Sequence, residues 1–231
     1  MKIEQTVYFG TLIHRYKRFL ADVKMADGTF LTVHCPNSGS MKTCNTPGWK
    51  VAISDSANPR RKLRYTWEMI HNEKCWIGVN TQRPNKITRE AIETGVIKEL
   101  QGYSSIKPEQ KYGENSRIDL LLEKENEKCF VEVKNVSLVD EQVFMFPDAV
   151  TVRGLKHLNE LISMKRAGHR AVLIFVIQRT DGNLFMPAVH IDPAYATKLK
   201  EAEQEGVEIM PYLARVSPQE IKITHKIGYD L

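Results

Sequence analysis

The stretch Ser116-Arg117-Ile118-Asp119-Leu120-Leu121-Leu122, followed by Phe130-Val131-Glu132-Val133-Lys134, decides how this chain reads. Glu-x-Lys alone is a weak signal, and the chain has it at Glu109–Lys111, Glu132–Lys134 and Glu220–Lys222. Only the middle one lies in an apolar strand, where charged side chains need a reason to be present. Residues two apart on a strand share a face, so Glu132 and Lys134 project together. A hairpin loop over Lys124–Glu127 pairs Glu123 with Lys128. The same register sets Asp119 opposite Glu132, with Cβ atoms about 4.5–5.5 Å apart. Opposed carboxylates repel, and such a pair calls for a proton or a cation between them. Mg²⁺ favours oxygen ligands and keeps several waters, which suits two carboxylates plus a backbone carbonyl such as that of Val133. Lys134 is then placed to orient or deprotonate a metal-bound water, or to stabilise charge on a phosphate, as a phosphodiester-hydrolysing site requires. A one-residue slip would put the acids on opposite faces. On spacing alone, a surface hairpin with a charged outer face stays open as the plainer alternative.

Outward from the hairpin, Thr88 reads as the N-cap of a helix from Arg89 to about Leu100, with Gly95 weakening its middle. Arg117–Glu123, Cys129–Lys134 and Gln142–Phe146 read as strands. Val152–Ala167 has Val152, Leu155, Leu158, Leu161 and Ile162 at helical spacing and ends at Gly168. Ala171–Ile177 is apolar on both faces, as a covered central strand would be. Pro193–Glu205 is an amphipathic helix ending at Gly206, and Val207–Leu213 is a last strand. Residues 84–231 thus read α-β-β-β-α-β-α-β, a mixed α/β domain. Residues 1–83 differ: Val7–Leu12, Phe19–Met25, Phe30–His34, Val51–Ile53, Leu63–Ile70 and Trp76–Val79 are short β-rich runs separated by turn chemistry. A small barrel of the oligonucleotide-binding (OB) type is the natural candidate.

The 231 residues hold 33 Lys plus Arg against 28 Asp plus Glu, a net charge of +5. That surplus is unevenly placed. Residues 1–84 carry 13 basic and 6 acidic side chains, net +7, leaving 20 and 22, net −2, for residues 85–231. Such asymmetry points to nucleic acid or another anionic surface. Much of the surplus falls in His14-Arg15-Tyr16-Lys17-Arg18-Phe19 and Arg60-Arg61-Lys62-Leu63-Arg64-Tyr65-Thr66-Trp67. Cations meet phosphates and aromatics stack on bases, a mixture suited to single-stranded or distorted nucleic acid. Arg15, Lys17 and Arg18 are candidates for DNA contact. So are Arg60, Arg61, Lys62 and Arg64, which follow Asn58-Pro59 in a loop. In a strand, Arg15, Lys17 and Phe19 would share one face and Tyr16 and Arg18 the other. Tyr16, Phe19 and Trp67 are candidates for the barrel core. Asn37-Ser38-Gly39-Ser40 offers N–H groups and hydroxyls to an anion, or is an ordinary turn. His157 shares its helix with Arg153 and Lys156 and faces either phosphate or solvent.

Cys35, Cys44, Cys75 and Cys129 include no C-x-x-C pair, which argues against structural zinc. Their scatter and the absence of a signal-peptide pattern suggest reduced thiols in a cytoplasmic protein. The longest clean apolar run, Ala171–Ile177, is far below the roughly 20 residues of a membrane span. No P-loop, G-x-G-x-x-G, H-E-x-x-H or G-x-S-x-G is present.

Asp119 followed by Glu132-x-Lys134 within an α-β-β-β-α-β core resembles the PD-(D/E)xK nuclease superfamily. More specifically, the whole chain resembles the bacterial sugar fermentation stimulation protein A family. The matching stretches include Leu12–Val23, His34–Met41, Tyr65-Thr66-Trp67-Glu68, Lys111-Tyr112-Gly113, Ser116–Asp119, Val131–Val136 and Phe146–Thr151. The resemblance implies an OB-like domain followed by a PD-(D/E)xK nuclease-like domain. It also implies DNA binding with little sequence preference and a link to sugar (maltose) utilisation. By carry-over, Asp119, Glu132 and Lys134 occupy metal and catalytic positions, and Glu90 or Glu93 would supply the upstream helical acid. The chain departs from the family pattern at Val152, where an acid follows Ala-Val-Thr. Two functions follow as expectations. One is an Mg-dependent DNA endonuclease or exonuclease, with Mn²⁺ as substitute. The other is a non-enzymatic DNA-binding transcriptional regulator that keeps the nuclease scaffold. Either acts on single- or double-stranded DNA without a membrane, and a homodimer stays open.

Overall fold

The computed structural model describes residues 1–113 and 116–231. Its first half is β1 (Val7–Tyr16), β2 (Leu20–Met25), β3 (Phe30–His34), β4 (Lys50–Asp55), β5 (Tyr65–His71) and the short β6 (Trp76–Gly78). Strand order β3-β2-β1-β4-β5 closes on itself through the parallel pairing His34↔Thr66, with β6 added beside β5. This is a closed five-stranded barrel of OB type. Leu12, Val23, Val33, Val51, Ile53, Trp67 and Ile70 fill its interior. Trp67 is fully buried, and its indole N–H donates to the Met69 carbonyl at 3.0 Å. Phe19 departs from expectation at 48% exposure. The strand β1 stops at Tyr16, and Lys17 and Arg18 take left-handed φ of 46° and 61°. Phe19 therefore leaves a tight turn rather than a strand face, and the expected alternation through residue 19 breaks down.

The second half opens with α1 (Pro84–Glu93), five residues earlier than expected. Pro84 occupies the first turn, where its missing N–H costs nothing and its φ is already helical. Thr88, the expected cap, is buried inside the helix instead. Gly95 terminates the helix with φ 76° rather than weakening its middle. There follow β7 (Ser105–Tyr112), β8 (Ser116–Lys124), β9 (Glu127–Val136), β10 (Leu138–Asp140), β11 (Val143–Phe146), α2 (Val152–Arg166), β12 (Arg170–Ile177), β13 (Leu184–Pro187), α3 (Pro193–Gln204), β14 (Glu208–Val216), β15 (Ile221–Lys226) and β16 (Gly228–Tyr229).

The main sheet has order β15-β14-β12-β9-β8-β7, and a small second sheet is β10-β11-β13-β16. The strand β12 lies at the centre, parallel to both β9 and β14. Its run Ala171–Ile177 is wholly buried, as its two-sided apolarity requires. One face packs under α1 through Ile87, Ile92, Leu122, Val131, Val172 and Ile174, and this core also takes in Ala52 and Met69 of the barrel. The other face packs under α2 and α3 through Leu158, Leu161, Phe175, Tyr195 and Leu199. Among the described residues no helix is long and apolar enough to cross a membrane.

Direct bonds fix barrel to sheet. The Gly78 N–H donates to the Gln178 carbonyl at 2.8 Å, and the Asn72 amide donates to Asp181 at 2.7 Å. The Thr43 hydroxyl donates to the Ser137 carbonyl at 3.1 Å and accepts from Arg179 at 3.1 Å. The first residues cross over too: the Ile3 N–H donates to the Gln219 carbonyl at 2.9 Å.

Candidate functional site

The hairpin of β8 and β9 sets the site. Its turn is Glu125-Asn126, tighter than expected, because Lys124 pairs with Glu127. Shortening from both ends keeps the register: Glu123↔Lys128 through Leu120↔Val131. Asp119 and Glu132 fall at the next position of that register, just past the last paired residues, Leu120 and Val131. There the strands part, and the Val133 N–H donates to Asp119 Oδ2 at 2.8 Å rather than to a strand carbonyl. In an extended residue the carbonyl leaves on the same side as the N–H, which turns the Val133 carbonyl toward Asp119 as well.

Asp119 Oδ1 accepts from the Asn85 amide at 2.8 Å. Burial pushes the Asp119 carboxyl up to about 6, helped by the Glu132 charge and opposed by the Val133 N–H, Lys134 and Asn85. Glu132 is 1% exposed. Burial alone would raise its carboxyl, but Lys134 and His157 hold it below the usual glutamate value. Its Oε1 accepts from Lys134 Nζ at 2.6 Å and lies against His157 Nδ1. Lys134 Nζ is 3.2 Å from the same imidazole nitrogen, and Arg153 Nε is 3.4 Å from His157 Nε2. Glu132 Oε2 is buried with no hydrogen-bond partner. A buried carboxylate oxygen left bare is costly, and a cation is one group that would satisfy it.

His157 reaches Glu132 because the buried residues of α2 are Gly154, His157, Leu158, Glu160, Leu161 and Ile162. Val152, read as apolar and core-facing, is 80% exposed at the first turn. The face is rotated from the one its aliphatic residues suggest. Gly154 makes room for this, since a Cβ there would lie 3.0 Å from the Tyr195 ring of α3.

Beside the two acids, and lined by their partners Asn85, Val133 and Lys134 rather than by the acids themselves, lies a cleft of about 470 Å³ between the two domains. Its floor includes Asn85, Val133 and Lys134. The barrel contributes Arg18 and Asn37-Ser38-Gly39, and the far wall contributes Phe146, Asp148 and Arg153. The Asn37–Ser40 loop is held from two sides. Asp148 Oδ2 accepts from the Met41 N–H at 3.0 Å, and a Cβ on Gly39 would lie 2.4 Å from that carboxylate. Arg15 was expected on a phosphate, but its guanidinium donates to the Asn37 carbonyl at 2.7 Å and to the Arg18 carbonyl at 3.1 Å. It shapes the loop rather than facing a ligand.

The other expected basic residues scatter. Arg64 clamps Asp55 through both oxygens, and Arg61 donates to the Thr66 hydroxyl at 3.1 Å. Lys17, Arg60 and Lys62 are exposed outside the cleft, so Arg18 alone of the seven lines it. Glu90 is also elsewhere: its carboxylate meets the Met1 ammonium at 2.9 Å, and α1 offers Asn85 to Asp119 instead. Among the described residues no group of three or more His, Cys, Asp and Glu side chains is arranged to hold a metal ion. All four cysteines are free.

Sequence reasoning missed Asn85 and Asp148 altogether and read His157 as facing phosphate or solvent, whereas it is buried against Glu132. Only the third had a signal, a histidine one helical turn beyond Gly154.

The family model described as "SfsA N-terminal OB domain" matches residues 13–79, and that described as "Sugar fermentation stimulation protein RE domain" matches residues 82–220. Relatives named sugar fermentation stimulation protein homolog include those of Geotalea uraniireducens, 54% identical over 99% of both chains, and Geobacter metallireducens, 55% identical over 98% of both. A solved structure described as Pyrococcus furiosus SfsA in complex with Ca²⁺ superposes over 100% of both chains, with a TM-score of 0.90 at 28% identity. An OB barrel joined to a nuclease-like α/β domain, matched end to end by these relatives, places the chain in the sugar fermentation stimulation protein (SfsA) family.

Proposed function

We propose that this protein binds DNA with little sequence preference and hydrolyses phosphodiesters at Asp119, Glu132 and Lys134 with a divalent cation, Mg²⁺ or Mn²⁺. The observation that carries this is the buried, partnerless Glu132 Oε2, one step beyond the paired hairpin from an Asp119 whose carboxyl is pushed up to about 6, beside a cleft that Lys134 lines. Asp119, Glu132 Oε2 and the Val133 carbonyl would hold the cation, with water completing its oxygen shell. When bound, the cation supplies Lewis-acid stabilisation of phosphate charge and a more acidic water. Lys134 sits 2.6 Å from Glu132 and is placed to meet a phosphate oxygen once the cation takes over the carboxylate. The Ca²⁺ of the Pyrococcus furiosus relative supports divalent-cation use by the fold.

Incubation of labelled single- and double-stranded DNA with the protein, with Mg²⁺, Mn²⁺ or EDTA, tests this. Cation-dependent cleavage that disappears in Asp119→Ala and Glu132→Ala is the expected outcome. Cleavage unaffected by both changes sinks the assignment. The second reading is a non-enzymatic DNA-binding regulator, in line with the link to sugar metabolism. It is favoured by the way Lys134 and His157 already compensate Glu132 Oε1. It predicts salt-sensitive binding with no cleavage under any cation.

A further inference from the structure

The position of the cleft carries an inference about the substrate, resting on the hydrolytic reading of the same site. We infer that the cleft takes one unpaired strand of nucleic acid, with its phosphates held between Arg18 of the barrel and Arg153 of α2. A continuous duplex is excluded.

Three observations lead there. The first is size: about 470 Å³ is a small-ligand volume, within the 300–1,000 Å³ or so of ordinary pockets, enough for one or two nucleotides. The two paired strands of a duplex do not enter a space of that volume together. The second is construction. Opposite walls come from different domains, but the bonds of Met41 to Asp148, Thr43 to Ser137 and Gly78 to Gln178 tie those domains together. The barrel residues Ala52 and Met69 also sit in the core of the main sheet. Widening the cleft by a hinge would break those bonds and that core.

The third observation is placement of charge and polarity. Arg18 and Arg153 are exposed and line the cleft, and Lys134 lies on its floor. Arg15 is spent on the Asn37 carbonyl of the Asn37–Ser40 loop, and Asp148, the one acid lining the cleft, is partly satisfied by the Met41 N–H. Phe146 gives the wall an apolar surface against which an unstacked base can lie. Phosphates are presented by single strand and duplex alike, but a splayed base is what a single strand presents and a stacked duplex withholds.

Fluorescence anisotropy of the full chain in EDTA, where no hydrolysis occurs, separates this from the catalytic claim. The probes are one labelled oligonucleotide of about 20 nucleotides as a single strand, as a blunt duplex, and as a duplex with a single-stranded gap. The single strand and the gapped duplex should bind about tenfold tighter than the blunt duplex. Arg18→Gln/Arg153→Gln should lower the slope of log K against log salt by about 1.4, two contacts at roughly 0.7 each, with an unchanged melting temperature. Blunt duplex binding as tightly as the single strand overturns the inference, even if Mg-dependent cleavage is seen. So does a salt slope that the double variant leaves unchanged. Single-strand preference without any cleavage leaves the inference standing and removes the hydrolytic reading instead.

Discussion

At the scale of single residues, the site is an arrangement of uneven compensation. Glu132 Oε1 has two partners and Oε2 has none, while Asp119 leans on one backbone and one side-chain amide. Removing an imidazole from a buried carboxylate leaves part of its charge unpaired, so His157→Ala should cost about 1–3 kcal/mol in urea denaturation, with partial recovery in His157→Gln. Asp119→Asn should behave differently. It relieves repulsion from Glu132 but has a single acceptor for the two donors, Val133 and Asn85. The two effects are each about 1–2 kcal/mol and opposed, so stability should stay within about 1 kcal/mol of the parent. Cation-dependent cleavage should nevertheless fall by about a hundredfold or more. Asp119, Glu132 and Lys134 were legible because charge in an apolar strand has few innocent explanations. His157 was not, because the aliphatic spacing of α2 placed its buried face slightly off, and one helix position separates a residue buried on Glu132 from a solvated one.

At the scale of elements, the β8–β9 hairpin was readable in register even though its turn was read too long. Trimming both ends of a loop equally moves no side chain to the other face. The helix α1 was misplaced because Thr88 is a good cap in isolation, whereas Pro84 starts the helix and Gly95 stops it. The strand β7 escaped notice: Ser105–Tyr112 is polar, contains Pro108, and interrupts its pairing at Glu109, where φ is 52° and the ladder passes from Pro108↔Leu120 to Gln110↔Ile118 without a change of register. Those are the marks of a protected edge strand, which lacks the alternation that a half-buried one shows. Two glycine changes test the elements that were reinterpreted. Gly95→Ala forces an L side chain into the left-handed region at the end of α1 and should cost about 1–2 kcal/mol by thermal or chemical denaturation. Gly39→Ala drives a methyl into the Asp148 carboxylate and should break the Met41 contact, weakening DNA binding more than it lowers the melting temperature.

At the scale of the whole molecule, the net charges of +7 and −2 belong to two domains that share one cleft, and buried ion pairs hold them in place. Glu68 is 1% exposed and accepts from Ser54, Asn80 and both ends of the Arg83 guanidinium, at the junction where barrel gives way to α1. Glu68→Ala strands a mostly buried arginine and should destabilise by about 3–5 kcal/mol. Arg179, 1% exposed, pairs with Asp181 at 2.6 Å while gripping Thr43 of the barrel. Burial opposes the Asp181 charge, but Arg179 and Asn72 hold its carboxyl below the ordinary 3.8. A depressed acid stabilises the fold fully above its unfolded pKa and loses that contribution as pH falls through the folded value. Thermal unfolding should therefore be insensitive to this pair above about pH 4 and should weaken below it, and Asp181→Asn should flatten that acid limb. The central claim, that Asp119 and Glu132 are a cation site beside an interdomain cleft, meets its most direct test in anomalous diffraction from crystals soaked in Mn²⁺. A peak bridging Asp119 and Glu132 Oε2, with Lys134 Nζ withdrawn from the carboxylate, is the predicted result. An undisturbed Lys134–Glu132 pair with no density between the two acids would contradict it.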